Sequence, residues 1–150
     1  MSGLVLVGCC GPKLGVRAPA KDLYQSQLFR LARAWAEEHG DSWAVLSARH
    51  GVVAPETELD PYNQTIDRMT RRARAAWVAS VVNGLAKLGA SELTFLAGRN
   101  YTRPVIEQLL ANGSAYRPSK ISEPLAGLGI GQRKAWLAKH TATPTAWVTA

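Results

Sequence analysis

The chain has 150 residues, 47% of them hydrophobic and 19% charged, with five Trp; that is one domain with apolar mass for a packed core, and it excludes a disordered chain. Two cysteines, the neighbours Cys9 and Cys10, exclude a disulfide-stapled scaffold and fit a reducing compartment. The 18 Lys+Arg against 11 Asp+Glu give a net charge of +7, a field that draws polyanions and gives weight to nucleic acid, nucleotides and phosphorylated substrates, with a merely solvated cationic face as the equal alternative.

Residues 3–7 form a continuous aliphatic run bounded by glycine, the pattern of a strand buried on both faces of a parallel sheet. The run is far short of the ~18 apolar residues of a membrane span and lacks the basic flank of a signal peptide. A cytoplasmic protein with no membrane partner is expected. Residues 9–20, broken by Gly11, Pro12, Gly15 and Pro19, read as a loop. Tyr24, Leu28, Leu31 and Trp35 recur at helical steps and predict a helix over 23–39, with Asp22 as N-cap and Gly40 as the stop.

A second buried strand follows over 42–47, then a long loop over 48–62 of the kind that tends to carry function. Ile66, Met69, Ala73, Trp77, Val81, Leu85 and Leu88 keep helical steps and predict a helix over about 63–88. Arg68, Arg71, Arg72 and Arg74 fall mostly on its other faces. Residues 93–97 make a third strand closed by Gly98. A short helix over 102–111 takes Pro104 in its first turn, and an extended piece near 115–116 is a candidate fourth strand. A second loop spans 118–131 and a last helix 132–139. The domain is expected over 1–140, with a poorly ordered tail over 141–150. Trp35 and Trp77 are expected to be mostly buried against the sheet.

Strands and helices alternate, which implies a small Rossmann-like α/β domain of three layers with a mainly parallel sheet of three or four strands. In such sheets ligands bind at the carboxyl ends of the strands. The topology therefore predicts one cleft lined by Cys9, Lys13, Ser47, His50, Tyr62, Gly98 and Tyr101. The small residues of Gly8-Cys9-Cys10-Gly11-Pro12-Lys13 let backbone approach a ligand, and Lys13 suits a phosphate or carboxylate. That segment lacks the Gly-Lys-Ser/Thr ending of a P-loop. Cys9 is more readily read as a small buried hydrophobe than as a reactive thiol.

Ser47-Ala-Arg49-His50-Gly51 follows the second strand, and His50 is the candidate acid, base or hydrogen-bond donor, with Gly51 in the ligand-binding set. Glu58 and Asp60 are the nearby carboxylates in sequence and are the candidates for orienting His50 or activating water; Asp60 is equally a turn or cap residue. Tyr62 and Tyr101 offer flat stacking surfaces. Arg68, Arg71 and Arg72 are candidate contacts to nucleic-acid phosphates, or a solvated helical face. The histidines and cysteines show no metal-ligand spacing, and no metal or cofactor is expected.

Several motifs together resemble a known group. Cys9-x3-Lys13, Asp22-Leu23-Tyr24-x-Ser26-x-x-Phe29, Leu46-Ser47-Ala48-Arg49-His50-Gly51-Val52-Val53-x-Pro55 and Leu59-x-Pro61-Tyr62 resemble a bacterial and phage domain of unknown function. The closing Pro124-Leu125-x-Gly127-Leu128-x-Ile130-Gly131 resembles that domain's ending, so the likeness spans roughly residues 3–137. The domain is itself similar to YaaA-like peroxide-stress proteins and to a module beside archaeal tRNA-guanine transglycosylases. The resemblance implies a sheet similar to that of uracil-DNA glycosylases. The chain departs from these groups in two ways. It has no counterpart of the helix-hairpin-helix of YaaA-like proteins, and its Asp60-Pro61-Tyr62 follows the second strand, whereas the glycosylases carry Asp-Pro-Tyr after the first, so their catalytic Asp is not carried over. Action at an N-glycosidic bond of a base is one expected function. The alternatives are a non-catalytic nucleic-acid-binding module and a stress-associated binding protein.

Overall fold

In chain order the elements are β1 (Gly3–Gly8), β2 (Ala18–Pro19), α1 (Ala20–Leu23), α2 (Gln27–His39), β3 (Ser42–Ser47), β4 (Gly51–Val53), β5 (Glu58–Leu59), a 3₁₀ turn at Ile66–Arg68, α3 (Arg71–Leu88), β6 (Glu92–Leu96), α4 (Arg99–Leu109), β7 (Lys120–Ser122) and α5 (Ile130–Lys139). The structure is a computed structural model and describes residues 3–9 and 11–142. Cys10 and residues 143–150 of the tail expected over 141–150 lie outside the described residues. Thr141 and Ala142 are tied back: the Thr141 hydroxyl donates to the Leu137 carbonyl, and the Ala142 amide donates to the Glu38 carboxylate.

The main sheet has the order β4-β3-β1-β6-β7. The aliphatic β1 lies at its centre, parallel to β3 on one side and to β6 on the other, and β6 pairs in parallel with β7. Alternation along β1 serves two cores. Val5, Val7 and Cys9 join the core beneath α2 and α5, whereas Leu4 and Leu6 join the core beneath α3 and α4. The result is a Rossmann-like α/β domain of three layers. No described helix is long and apolar enough to cross a membrane.

Several boundaries differ from the sequence expectation, each for a local reason. Helix α2 starts at Gln27, because the Ser26 hydroxyl accepts from the Phe29 amide and caps it. Asp22 caps nothing there and pairs instead with Arg33 at 3.0 Å. Helix α3 starts at Arg71 with Thr70 as its cap; Ile66 precedes it in the 3₁₀ turn yet still fills the core. Pro104 lies inside α4, past its first turn, where its missing N–H withdraws one helical bond. The fourth parallel strand is β7, not residues 115–116, and the long loop contains β4, antiparallel to β3, with β5 paired to β2. Trp77 is buried as expected. Trp35 is mostly buried as well, packed against the core beneath α2 with its ring 5.7 Å from that of Trp136 of α5.

Candidate functional site

Strands β1 and β6 are neighbours, but their chains leave toward opposite faces of the sheet, β1 toward α2 and β6 toward α4. Such a divergence opens a crevice at the carboxyl ends. Gly8 lets the two strands approach there, since a Cβ on Gly8 would lie 2.6 Å from that of Ala97. The crevice has a volume of about 210 Å³, and Gly8, Cys9, Gly98, Tyr101 and Arg133 are among its lining residues.

Cys9 is the first residue beyond β1 and is 7% exposed. Its amide continues the ladder by donating to the Leu46 carbonyl at 3.0 Å. Its Sγ accepts from the Ala48 amide at 3.4 Å and lies 3.6 Å from the Tyr101 hydroxyl. The thiol thus joins the ends of three parallel strands. Tyr101 is held from the other side by the edge of the Trp77 ring, 5.8 Å between centroids. Burial first, and the neighbouring Cys9 second, push the Tyr101 phenol well above the usual range.

Ser47 closes β3 and is fully buried. Its Oγ accepts from the amides of Arg49 and His50, at 3.2 and 3.1 Å, and its carbonyl accepts from Trp77 Nε1 at 2.9 Å. The two amides occupy the acceptor positions of the Ser47 oxygen, so its own hydrogen is available to the phenols. Tyr62 Oη lies 2.8 Å from Ser47 Oγ and 2.6 Å from Tyr24 Oη. Three hydroxyls therefore form one buried relay. Burial raises the Tyr62 and Tyr24 phenols, so both stay protonated at neutral pH.

Lys13 lies beside this relay. A backbone bridge joins Lys13 to Tyr24, and the ammonium sits 4.6 Å from the Tyr62 ring centroid and 5.7 Å from that of Tyr24. Among the described residues it has no carboxylate partner, so its charge remains available to an anion. His50 is exposed and meets the Tyr62 ring edge-on at 5.5 Å. Partial burial, then the nearby Arg49, lower its pKa from the ordinary 6.5, so the neutral imidazole is the main form at pH 7. Gly51 sits just beyond with φ 72°, a conformation that lets the chain turn back into β4.

The structure thus brings Cys9, Lys13, Ser47, His50, Tyr62 and Tyr101 into one contiguous set, with Gly98 heading α4 beside it. It does not bring in the two carboxylates. Glu58 is exposed on the β2–β5 ribbon, and Asp60 forms an exposed ion pair with Arg17 at 3.2 Å. Neither makes a hydrogen bond or ion pair with His50 among the described residues. Arg68, Arg71 and Arg72 are exposed around the start of α3. Sequence reasoning did not place Tyr24 in the site, reading it as one apolar step of a helix; the extended backbone at Tyr24, bridged to Lys13, was hidden by that spacing. It also missed Asp67, which accepts from Asn100 Nδ2 at the rim, because that carboxylate lay inside a predicted helix.

No curated protein and no solved structure matches the chain. A family model matches residues 4–139, which takes in every strand end and every side chain of the set just described. The chain belongs to that family, a family of unknown function designated DUF6884.

Proposed function

We propose that the protein handles nucleotides, holding a phosphate-bearing nucleoside at the carboxyl edge of its sheet and acting at the N-glycosidic bond. The observation that carries the proposal is the contiguous cluster of Lys13, Ser47, His50 and Tyr62, from separate loops, which Cys9 links to Tyr101 on the lining of the crevice. Lys13 supplies an unneutralised charge for a phosphate. The tyrosine rings supply flat surfaces for a base. The resemblance to a domain that is itself similar to YaaA-like proteins, with the glycosylase-like sheet it implies, fits the same reading.

In the hydrolysis, the bond from C1′ to the base nitrogen breaks and its electron pair leaves with the base. The oxygen of a water molecule bonds to C1′, and the water's proton passes to solvent. When bond breaking leads, charge builds on the sugar ring and on the departing base more than on the water. His50, neutral and exposed beside the cluster, then acts as hydrogen-bond donor to the departing base, and the partly exposed Tyr62 hydroxyl, fixed by Ser47 and Tyr24, orients the water. Glu58 and Asp60 are left without a catalytic role.

The test is a screen of free nucleosides, nucleotides and base-modified DNA for base release, read by mass spectrometry. Release by the parent protein is expected to fall at least ~100-fold in His50→Ala and to persist in the Glu58→Gln/Asp60→Asn double variant. No release from any substrate, or release untouched by His50→Ala, would overturn the catalytic proposal.

A further inference from the structure

A string of hollows runs around the first turns of α4, away from the predicted cleft, and ends at Arg71. The one nearest the crevice, about 320 Å³, has Phe95, Ala97 and Leu125 among its apolar lining and carries Arg99, Arg103 and Arg133. It shares Ala97, Leu125 and Arg133 with the crevice beside Cys9 and Tyr101. A second hollow shares Arg99 and Arg103 with the first and adds Arg74. A third continues from Arg74 to Arg71 between α3 and α4. One path therefore leads from the cluster, past Arg133, across the start of α4, and into the groove between two helices.

The charge along this path is positive and poorly neutralised. Arg71 and Arg99 make no hydrogen bond or ion pair among the described residues. Arg103 approaches Glu107 only at 3.9 Å, with both side chains more than half exposed, a pair worth little in water. Arg133 and Arg74 are positioned by backbone carbonyls, of Leu128 at 2.9 Å and Ile66 at 3.3 Å, which fix a guanidinium without cancelling its charge. Glu107 and Glu123 are the acidic groups on the lining, against five arginines along the path.

We infer that this path binds a single-stranded nucleic acid, so that the nucleotide in the crevice belongs to a strand. The inference rests on the nucleotide-handling proposal and adds the class of substrate. The hollows along the path measure about 320, 450 and 540 Å³, each the size of a small-molecule pocket, which suits single nucleotides of one strand and not a paired duplex. Arginines match phosphates in bidentate fashion, and the apolar lining between them suits the faces of unpaired bases. A base must also be out of its stack to place its glycosidic bond in a crevice. An acidic peptide would find the same charge but would leave the apolar lining without a matching ring.

The experiment is fluorescence anisotropy with labelled 12-nucleotide oligo-dT and oligo-U, a 12-base-pair duplex, and a poly-glutamate competitor, across a salt series. Calorimetry with dTMP and UMP runs alongside. The single strands are expected to bind at least ~10-fold more tightly than the duplex. Arg99→Gln/Arg103→Gln should weaken them ~10-fold or more and flatten the salt slope by about 1.4, two contacts at ~0.7 each. The exposed Lys87→Gln, at the far end of α3, controls for net charge and should bind as the parent does. Mononucleotide binding should survive in all variants. Equal affinity for duplex, an unchanged double variant, or displacement by poly-glutamate as readily as by oligonucleotide would overturn the path while leaving the crevice proposal standing. Absence of mononucleotide binding in the parent, with arginine-dependent strand binding intact, would overturn the crevice proposal instead.

Discussion

Gly8 marks the tightest approach in the molecule's working edge, and adding one methyl there is the sharpest perturbation on offer. The methyl of Gly8→Ala would sit 2.6 Å from Ala97 Cβ and 3.0 Å from Ala97 Cα. Ordinary carbon–carbon contact is about 3.5–4.0 Å, so the ends of β1 and β6 must part by about 1 Å. Both strands are packed on both faces, and such interiors yield little. Overpacking of this kind costs about 1–3 kcal/mol, while the reduced freedom of the unfolded chain returns about 0.4–1 kcal/mol. A net loss of about 1–2 kcal/mol lowers Tm by about 2–8 °C for a chain of this size. Thermal melts followed by circular dichroism measure it. Gly8→Ala/Ala97→Gly moves the methyl across the gap and should recover at least half of the loss, a coupling of roughly 1 kcal/mol in the double-mutant cycle. A Gly8→Ala protein that melts with the parent, or one that Ala97→Gly does nothing to relieve, would refute the steric reasoning.

Two more outcomes follow from the hydrogen bonds and charges at the same edge. Trp77→Phe keeps a buried ring but deletes the donor to the Ser47 carbonyl, at 2.9 Å, and should cost about 1–3 kcal/mol in urea unfolding; Trp77→Ala should cost about 3–5 kcal/mol. His50 should titrate below 6.5 in a proton NMR series, because burial and Arg49 disfavour its cation. Its folded pKa is depressed, so its contribution to stability is complete above 6.5 and is lost as pH falls from there through the folded value. His50→Gln should remove that part of the pH dependence, and a His50 midpoint at or above 6.5 would contradict the environment described.

What could be read from the residues was whatever a single local pattern determines. The unbroken aliphatic run of β1 can only be buried on both faces, so the parallel sheet and its central strand followed, and with them the edge where the loops meet. Strand β7 was hidden because Lys120-Ile-Ser122 is too short to show a period; it is a strand because β6 offers it an open side. Ile66 and Met69 happen to fall in step with Ala73 and Trp77, and that coincidence extended α3 backwards over a 3₁₀ turn. The carboxylates Glu58 and Asp60 were grouped with His50 by proximity along the chain, yet pairing of β5 with β2 carries them to an exposed ribbon. Tyr24 and the arginines of α4 were not legible, since their places depend on contacts with elements far away in sequence.

The outer strands of the sheet, β4 and β7, have three residues each. An open sheet edge is a template on which another extended chain can add itself, and the length of the template limits how many main-chain bonds a newcomer gains. At three residues, few amides are on offer on either side. Lys120 heads β7 and is exposed, which adds a desolvation cost to any strand laid against it. Recruitment of a peptide by strand addition, and the runaway version of the same event that seeds fibrils, are both disfavoured by the way this sheet stops.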